Sequence, residues 1–272
     1  MPQQLLDLTV TAKSFADLPV LRNVHFRINA GEVVSLVGPR GCGKSTLLRI
    51  IAALDTRFAG EVLINGQPPS LRSRDVGLIF QEPRLLPWLS VAENVGFALG
   101  IKRRGHPLVA ALLSEMGLID CAGAYPRQLS GDLAQRVAIA RGLCSQPSLL
   151  LLDEPFSAVD AFTRKHLQDL LLSVASRRRT TLLLVTHEVN EAVYFSDRVI
   201  VLASQPGRIS GEVVIGAPRP RDRRNPKLAR KEAKVLTLLS DGTTNSFDLS
   251  YALASAPPTW PPVQAAHLHF AI

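Results

Sequence analysis

Apolar and polar residues alternate from Leu5 to Thr11, and Val20 to Ile28 partly repeats the alternation, so two half-buried strands open the chain. Asn29-Ala30-Gly31-Glu32 makes a turn. Val33 to Val37 is then a short valine-rich run bounded by glycine, which predicts a fully buried strand. It feeds a glycine-rich loop and a helix predicted over Lys44 to Ala53. Two more apolar runs, Leu149 to Leu152 and Thr180 to Val185, each follow helical sequence, which predicts a mostly parallel sheet with helical crossovers. Arg198 to Ala203 and Gly211 to Ile215 read as the last strands.

From Phe80 to Leu143 the pattern turns helical, with helices predicted over Ser90 to Leu99 and Pro107 to Met116 between proline-rich breaks. This predicts a helical insertion at about residues 80–145 within a domain spanning 1–239. From Ser240 to Ile272 the chain carries four prolines, few charges and no clear period, so it reads as a loose or docking tail. With 272 residues, 46% of them hydrophobic, the chain can bury a large core, and disorder throughout is excluded. No apolar run reaches roughly eighteen residues, and Met1-Pro2-Gln3-Gln4 has neither part of a secretory leader, so a cytosolic chain is expected. Cys42, Cys121 and Cys144 are too scattered for a zinc site or disulfide framework. Of the net charge of +8, most sits between Gly216 and Lys234, where eight basic residues meet only Asp222 and Glu232. That segment reads as a solvated basic flank or a surface for anionic headgroups; nucleic acid is not expected as a partner. The pair His267 and His269 lacks further metal ligands.

Chemistry concentrates at Gly38-Pro39-Arg40-Gly41-Cys42-Gly43-Lys44-Ser45-Thr46, a phosphate-loop pattern set between a buried strand and a helix start. There glycines let the main chain curl around phosphate, the helix N-terminus adds positive potential, Lys44 reaches the outer phosphates, and the Ser45 hydroxyl can ligate Mg2+. Leu149-Leu150-Leu151-Leu152 ends in Asp153 and Glu154, whose side chains leave the strand in opposite directions and can divide two roles. Asp153 would hold the Mg2+ shell and Glu154 would polarise the attacking water.

Leu129-Ser130-Gly131-Asp132-Leu133-Ala134-Gln135-Arg136, followed by Val137-Ala138-Ile139-Ala140-Arg141, resembles the signature motif of the ABC ATPases. The family's other marks stand in order around it: Gln81 of the Q-loop, Asp153 and Glu154, Ser157-Ala158-Val159-Asp160 as the D-loop, and His187 as the switch histidine. Phe15 occupies the place of the adenine-stacking aromatic, and a phenylalanine packed beside a strand is its plain alternative. The resemblance covers about four-fifths of the chain. It implies an α/β phosphate-loop NTPase core with an antiparallel β region and an inserted helical subdomain. It also implies a homodimer packed head to tail, with ATP between the phosphate loop of one subunit and Ser130, Gly131, Asp132 and Asp160 of the other. Glu154, His187 and Gln81 would then serve catalysis, and Ser45, Gln81 and Asp153 the metal.

Asp132 departs from the pattern, because the family usually has glycine there. A carboxylate about 4 Å from a phosphate charge costs roughly 4 kcal/mol at an effective dielectric near 20. Either closure is impaired, or Asp132 turns away or is protonated.

The short spacing between phosphate loop and signature, and the single cassette, separate the chain from relatives that act on DNA or ribosomes. The signature separates it from phosphate-loop kinases. Ile79-Phe80-Gln81-Glu82-Pro83-Arg84-Leu85-Leu86-Pro87-Trp88 and Pro218-Arg219-Pro220-Arg221-Asp222-Arg223 are similar to stretches in importers of nitrate, taurine and aliphatic sulfonates. That resemblance implies permease subunits docked beside Gln81, a binding protein delivering the solute, and a place on the cytoplasmic face of the membrane. A soluble or impaired regulatory ABC ATPase is the alternative.

Overall fold

In the computed structural model, which describes residues 3–70, 74–100, 105–157 and 159–244, the opening alternation becomes an antiparallel pair. Strand β1 (Gln4–Phe15) runs against β2 (Leu18–Asn29), and β4 (Ala59–Ile64) lines the other edge of β1, giving the order β2-β1-β4. Leu6, Leu8 and Val10 are buried in β1 while Thr9 and Thr11 between and after them stay exposed.

The second sheet has the order β5-β6-β7-β3-β8-β9, from β3 (Val33–Val37), β5 (Val76–Ile79), β6 (Leu149–Asp153), β7 (Thr181–Thr186), β8 (Arg198–Ala203) and β9 (Arg208–Val214). Its pairings are parallel except for β8 with β9. Every residue of β3 and β7 is buried, because both faces of the sheet are covered. The run of leucines in β6 shows how: Leu149 and Leu151 pack with α1 (Lys44–Ile51) and the antiparallel sheet, and Leu150 and Leu152 pack with the helices of the opposite layer. The apolar stretch is thus an alternation with both phases filled.

The opposite layer comprises α2 (Val91–Gly96), α3 (Pro107–Glu115), α4 (Gly131–Cys144) and α5 (Ala161–Arg178). Val95, Leu112, Met116 and Ile139 share one apolar cluster with Leu152 and Leu171, so the inserted helices extend the core of the sheet. A third cluster joins β8 and β9 to α6 (Val189–Phe195) and α7 (Pro226–Thr244). Among the described residues no helix is long and apolar enough to cross a membrane.

Several boundaries differ from the sequence expectation. Helix α1 stops at Ile51 because Ala53 adopts φ of +57°. Thr180 belongs to the turn that ends α5, its amide donating to the Ala175 carbonyl, and β7 begins at Thr181. Helix α7 continues past Leu239 to Thr244, with Leu238 and Leu239 packed on the third cluster. The remaining tail, with His267 and His269, lies outside the described residues.

The basic flank is solvated at Arg224, Lys227, Arg230 and Lys234 but differs at three arginines. Arg221 is buried, and its Nη1 donates to the carbonyls of Val193, Tyr194 and Ser196 at 3.2, 2.7 and 2.6 Å. Arg219 pairs with Asp197 at 2.6 Å, and the Arg223 guanidinium lies 3.4 Å from the Tyr194 ring centroid. These arginines close the C-terminal end of α6, whose last carbonyls have no partners inside the helix. Desolvation, with the neighbouring Arg219 charge, lowers the Arg221 pKa to about 10, so it remains charged at neutral pH. Arg221→Met leaves three carbonyls without that donor and is expected to cost about 3 kcal/mol, a fall in Tm of about 9 °C. Thermal unfolding checks this; a shift under about 2 °C would mean that water replaces the guanidinium without loss.

Candidate nucleotide site

The strand order sets β6, β7 and β3 side by side and parallel, so their carboxyl ends open on one rim. Ligands of such sheets bind beyond those ends. From β3 comes the phosphate loop, from β6 Asp153 and Glu154, and from β7 Thr186 and His187.

A cavity of about 490 Å3 lies there, lined by Arg40, Gly41, Gly43, Lys44, Ser45, Thr46, Gln81 and Glu154, with Val20 contributed by β2. Gly43 is the N-cap of α1 and has no side chain with which to cap it, so the first amides of the helix are free to meet an anion. It must be glycine for two reasons: φ is +96°, and a Cβ would lie 2.5 Å from Leu21 Cδ2. Lys44 is buried and its Nζ donates to the carbonyls of Gly38 and Pro39, both at 2.8 Å, which holds the ammonium over the loop. Cys42 is fully buried and burial raises its pKa, so its side chain packs under the loop and only its main chain is suited to a ligand. Gly38 packs there too: a Cβ would meet Cys42 Sγ and the Leu202 carbonyl at 2.7 Å.

Ser45 Oγ donates to Asp153 Oδ1 at 3.0 Å. Burial pushes the Asp153 carboxyl upward, the Ser45 hydrogen bond opposes this, and the Glu154 charge adds to it. A hydroxyl touching a carboxylate whose charged form is disfavoured is a donor set that suits a hard divalent cation. Glu154 follows with φ of +45°, its amide bonded to the Val185 carbonyl at 2.9 Å and its own carbonyl accepting from the Ser157 hydroxyl at 3.0 Å. His187 Nδ1 lies 3.2 Å from Glu154 Oε2, although it has no aligned hydrogen-bond partner there.

The structure gathers Lys44, Ser45, Gln81, Asp153, Glu154 and His187, but not every residue expected at the site. Phe15 is 49% exposed at the end of β1, covered on one side by Lys13 Nζ at 4.5 Å, and does not line the cavity. Ser130 caps α4, accepting from the Leu133 amide at 3.3 Å, and Gly131 opens that helix with nothing within 4 Å of where a Cβ would stand. Asp132 Oδ2 lies 3.0 Å from Arg136 Nε, one turn along α4. Asp160 caps α5, accepting from the amides of Phe162 and Thr163 at 3.0 and 3.1 Å, and the hydrogen bonds to Thr163 hold its carboxyl below the usual range. None of these four lines the cavity within one chain. Ala158 lies outside the described residues.

Three residues at the site had no sequence signal of their role. Val20 reaches the cavity only because β2 crosses the phosphate loop. Asn94 is fully buried and donates to the carbonyls of Leu86, Leu89 and Ser90, and Arg141 donates to those of Pro83 and Arg84, each at 2.9 Å. Helices α2 and α4 therefore hold the stretch after Gln81; the capping box formed by Ser90 and Glu93 marks where α2 starts but not what Asn94 does.

Such a loop, with acid and imidazole groups at neighbouring strand ends, defines a phosphate-loop nucleotide-binding domain. The family described as ABC transporter matches residues 21–157. An aliphatic sulfonates import ATP-binding protein of Burkholderia lata is 55% identical over 232 residues, covering 85% of each chain. One of Pseudomonas syringae pv. syringae is 55% identical over 240 residues, covering 88% of this chain and 98% of that one. Among solved structures, a dimeric ATP-binding cassette in a post-hydrolysis state, bound to ADP and Pi, is 32% identical with a TM-score of 0.66, covering 79% of this chain and 100% of that one. The chain belongs to the ATP-binding cassettes of the ABC transporter family, and it is an ATPase.

Proposed function

We propose that this chain is the ATP-hydrolysing subunit of an importer of aliphatic sulfonates, acting as a homodimer beneath two permease subunits at the cytoplasmic face of the membrane. The carrying observation is the meeting of Glu154 and His187, 3.2 Å apart, on the rim of a cavity walled by Lys44, Ser45 and Gln81. The solute class is supported by the relatives named for aliphatic sulfonates, and nitrate and taurine are the neighbouring solutes to be told apart from it. Trp88, 69% exposed beside the partly buried Leu85, offers an apolar face next to Gln81 for a permease helix.

On this reading the loop amides and Lys44 hold the phosphates of ATP, and Ser45, Asp153 and Gln81 would hold Mg2+, which would supply positive charge to offset that of the outer phosphates. Glu154 takes the proton of the attacking water. His187 donates toward the γ-phosphate. Ser130, Gly131 and Asp160 meet the ATP of the partner subunit, so closure of the dimer depends on intact triphosphate and relaxes after hydrolysis. Phe15 stacks on the adenine from the strand end.

The test is reconstitution of the chain in proteoliposomes with its permease and a solute-binding protein. Alkanesulfonate is expected to raise ATP turnover and to accumulate inside, whereas nitrate is not. Failure to form a complex with any permease, or stimulation by nitrate and not by alkanesulfonate, would sink this assignment.

A further inference from the structure

Glu154 and His187 share a small second cavity, about 60 Å3, with Arg164 and Glu191. Arg164 and Glu191 also line a neighbouring cavity of about 240 Å3, together with Gln168. Arg164 sits in the first turn of α5, and its Nη2 donates to the carbonyl of Val159 at 3.1 Å, inside the segment Ser157 to Asp160. Its Nε is buried and has no hydrogen-bond partner among the described residues. Glu191 lies in α6, directly after the segment Thr186 to Glu188, and is buried. Its carboxylate accepts from Gln168 Nε2 at 2.7 Å. Burial disfavours its charge, and the cation of Arg164 favours it.

A cation that holds the loop after Glu154 by its main chain, and shares the walls of two cavities with a buried acid in the helix that follows His187, bridges two segments of the site that are far apart in the chain. We propose that Arg164 is a positioning residue for ATP hydrolysis, holding the Ser157–Asp160 loop in register with the Thr186–Glu188 segment through Glu191. It does not line the cavity beside the phosphate loop. Its effect passes through the placement of Glu154 against His187, where a displacement of about 1 Å is enough to slow a reaction. The proposal rests on the reading of Glu154 and His187 as the hydrolytic pair.

In steady-state ATP turnover by the full chain, Arg164→Gln is expected to lower kcat about tenfold, with KM for ATP changed by less than about twofold. Glu191→Gln should give a similar loss, and the double variant should be no slower than the slower single one, because both act through one link. Arg164→Lys keeps the charge without the planar fork and is expected to lose about threefold. Wild-type kcat in Arg164→Gln, losses that multiply in the double variant, or a loss carried by KM alone would overturn the assignment. If Arg164→Gln does not fold, wild-type kcat in Arg164→Lys overturns it. Glu154→Gln separates the two ideas: turnover unharmed by it removes the hydrolytic pair itself, whereas turnover lost there and kept in Arg164→Gln removes only the link.

Discussion

Replacing Glu154 by glutamine is expected to lower ATP turnover by about two to three orders of magnitude and to leave MgATP affinity within about threefold of wild type. Glutamine fills the same space and can still accept a hydrogen bond, but it cannot take a proton from water. The backbone that presents the side chain, with φ of +45° and its amide bonded to the Val185 carbonyl, is unaffected by the change. Lys44, Ser45 and the loop amides, which carry the affinity on this reading, are untouched. Calorimetric titration with MgATP and a single-turnover phosphate assay together check it. Undiminished cleavage would move the general base elsewhere, and loss of binding equal to the loss of turnover would make Glu154 a ligand-holding residue.

What could be read from one sequence follows from how local each feature is. The phosphate loop is contiguous, and its glycines, Lys44 and Ser45 need only the strand before and the helix after to make sense. Asp153 and Glu154 are adjacent, and the leucines before them announce a buried strand. By contrast, Asn94 and Arg141 serve the stretch after Gln81 from other elements, and Arg141 is 57 residues from Arg84. No pattern within a strand or helix encodes such a contact. The same holds for Arg164 and Glu191.

Charge misleads for a related reason. Arg219, Arg221 and Arg223 stand among so many basic residues that a solvated flank is the natural reading, yet they close the end of α6 and pack on Tyr194. A planar guanidinium can satisfy several carbonyls while buried, and composition cannot reveal which arginine does so. In α7 the apolar positions Leu228, Val235, Leu238 and Leu239 form the buried face, diluted by the basic residues between them. Strands β4 and β5 leave little trace in the sequence because one is half exposed and the other has only 4 residues.

Asp132 carries the second large effect. On the dimer reading the start of α4 faces the partner's γ-phosphate, and an unneutralised carboxylate there would oppose closure by roughly 4 kcal/mol. The structure turns the side chain back along its own helix, with Oδ2 3.0 Å from Arg136 Nε at the i,i+4 spacing that suits such pairs. Arg136 is further held by Nη1 donating to the Met116 carbonyl at 3.4 Å, so the cation is anchored where Asp132 needs it. Three outcomes follow. Asp132→Gly, which removes a charge already balanced, should change turnover by less than about threefold. Arg136→Met, which uncovers the carboxylate, should lower turnover by about thirtyfold, with added salt restoring part of it. The double variant, with neither charge, should return to within about threefold of wild type, and this separates electrostatics from the lost Met116 contact. Turnover measured at low and high ionic strength decides the matter: a rise of tenfold or more in Asp132→Gly would mean that Asp132 hinders the native enzyme, and an unharmed Arg136→Met would mean that the pair does not shield the phosphate.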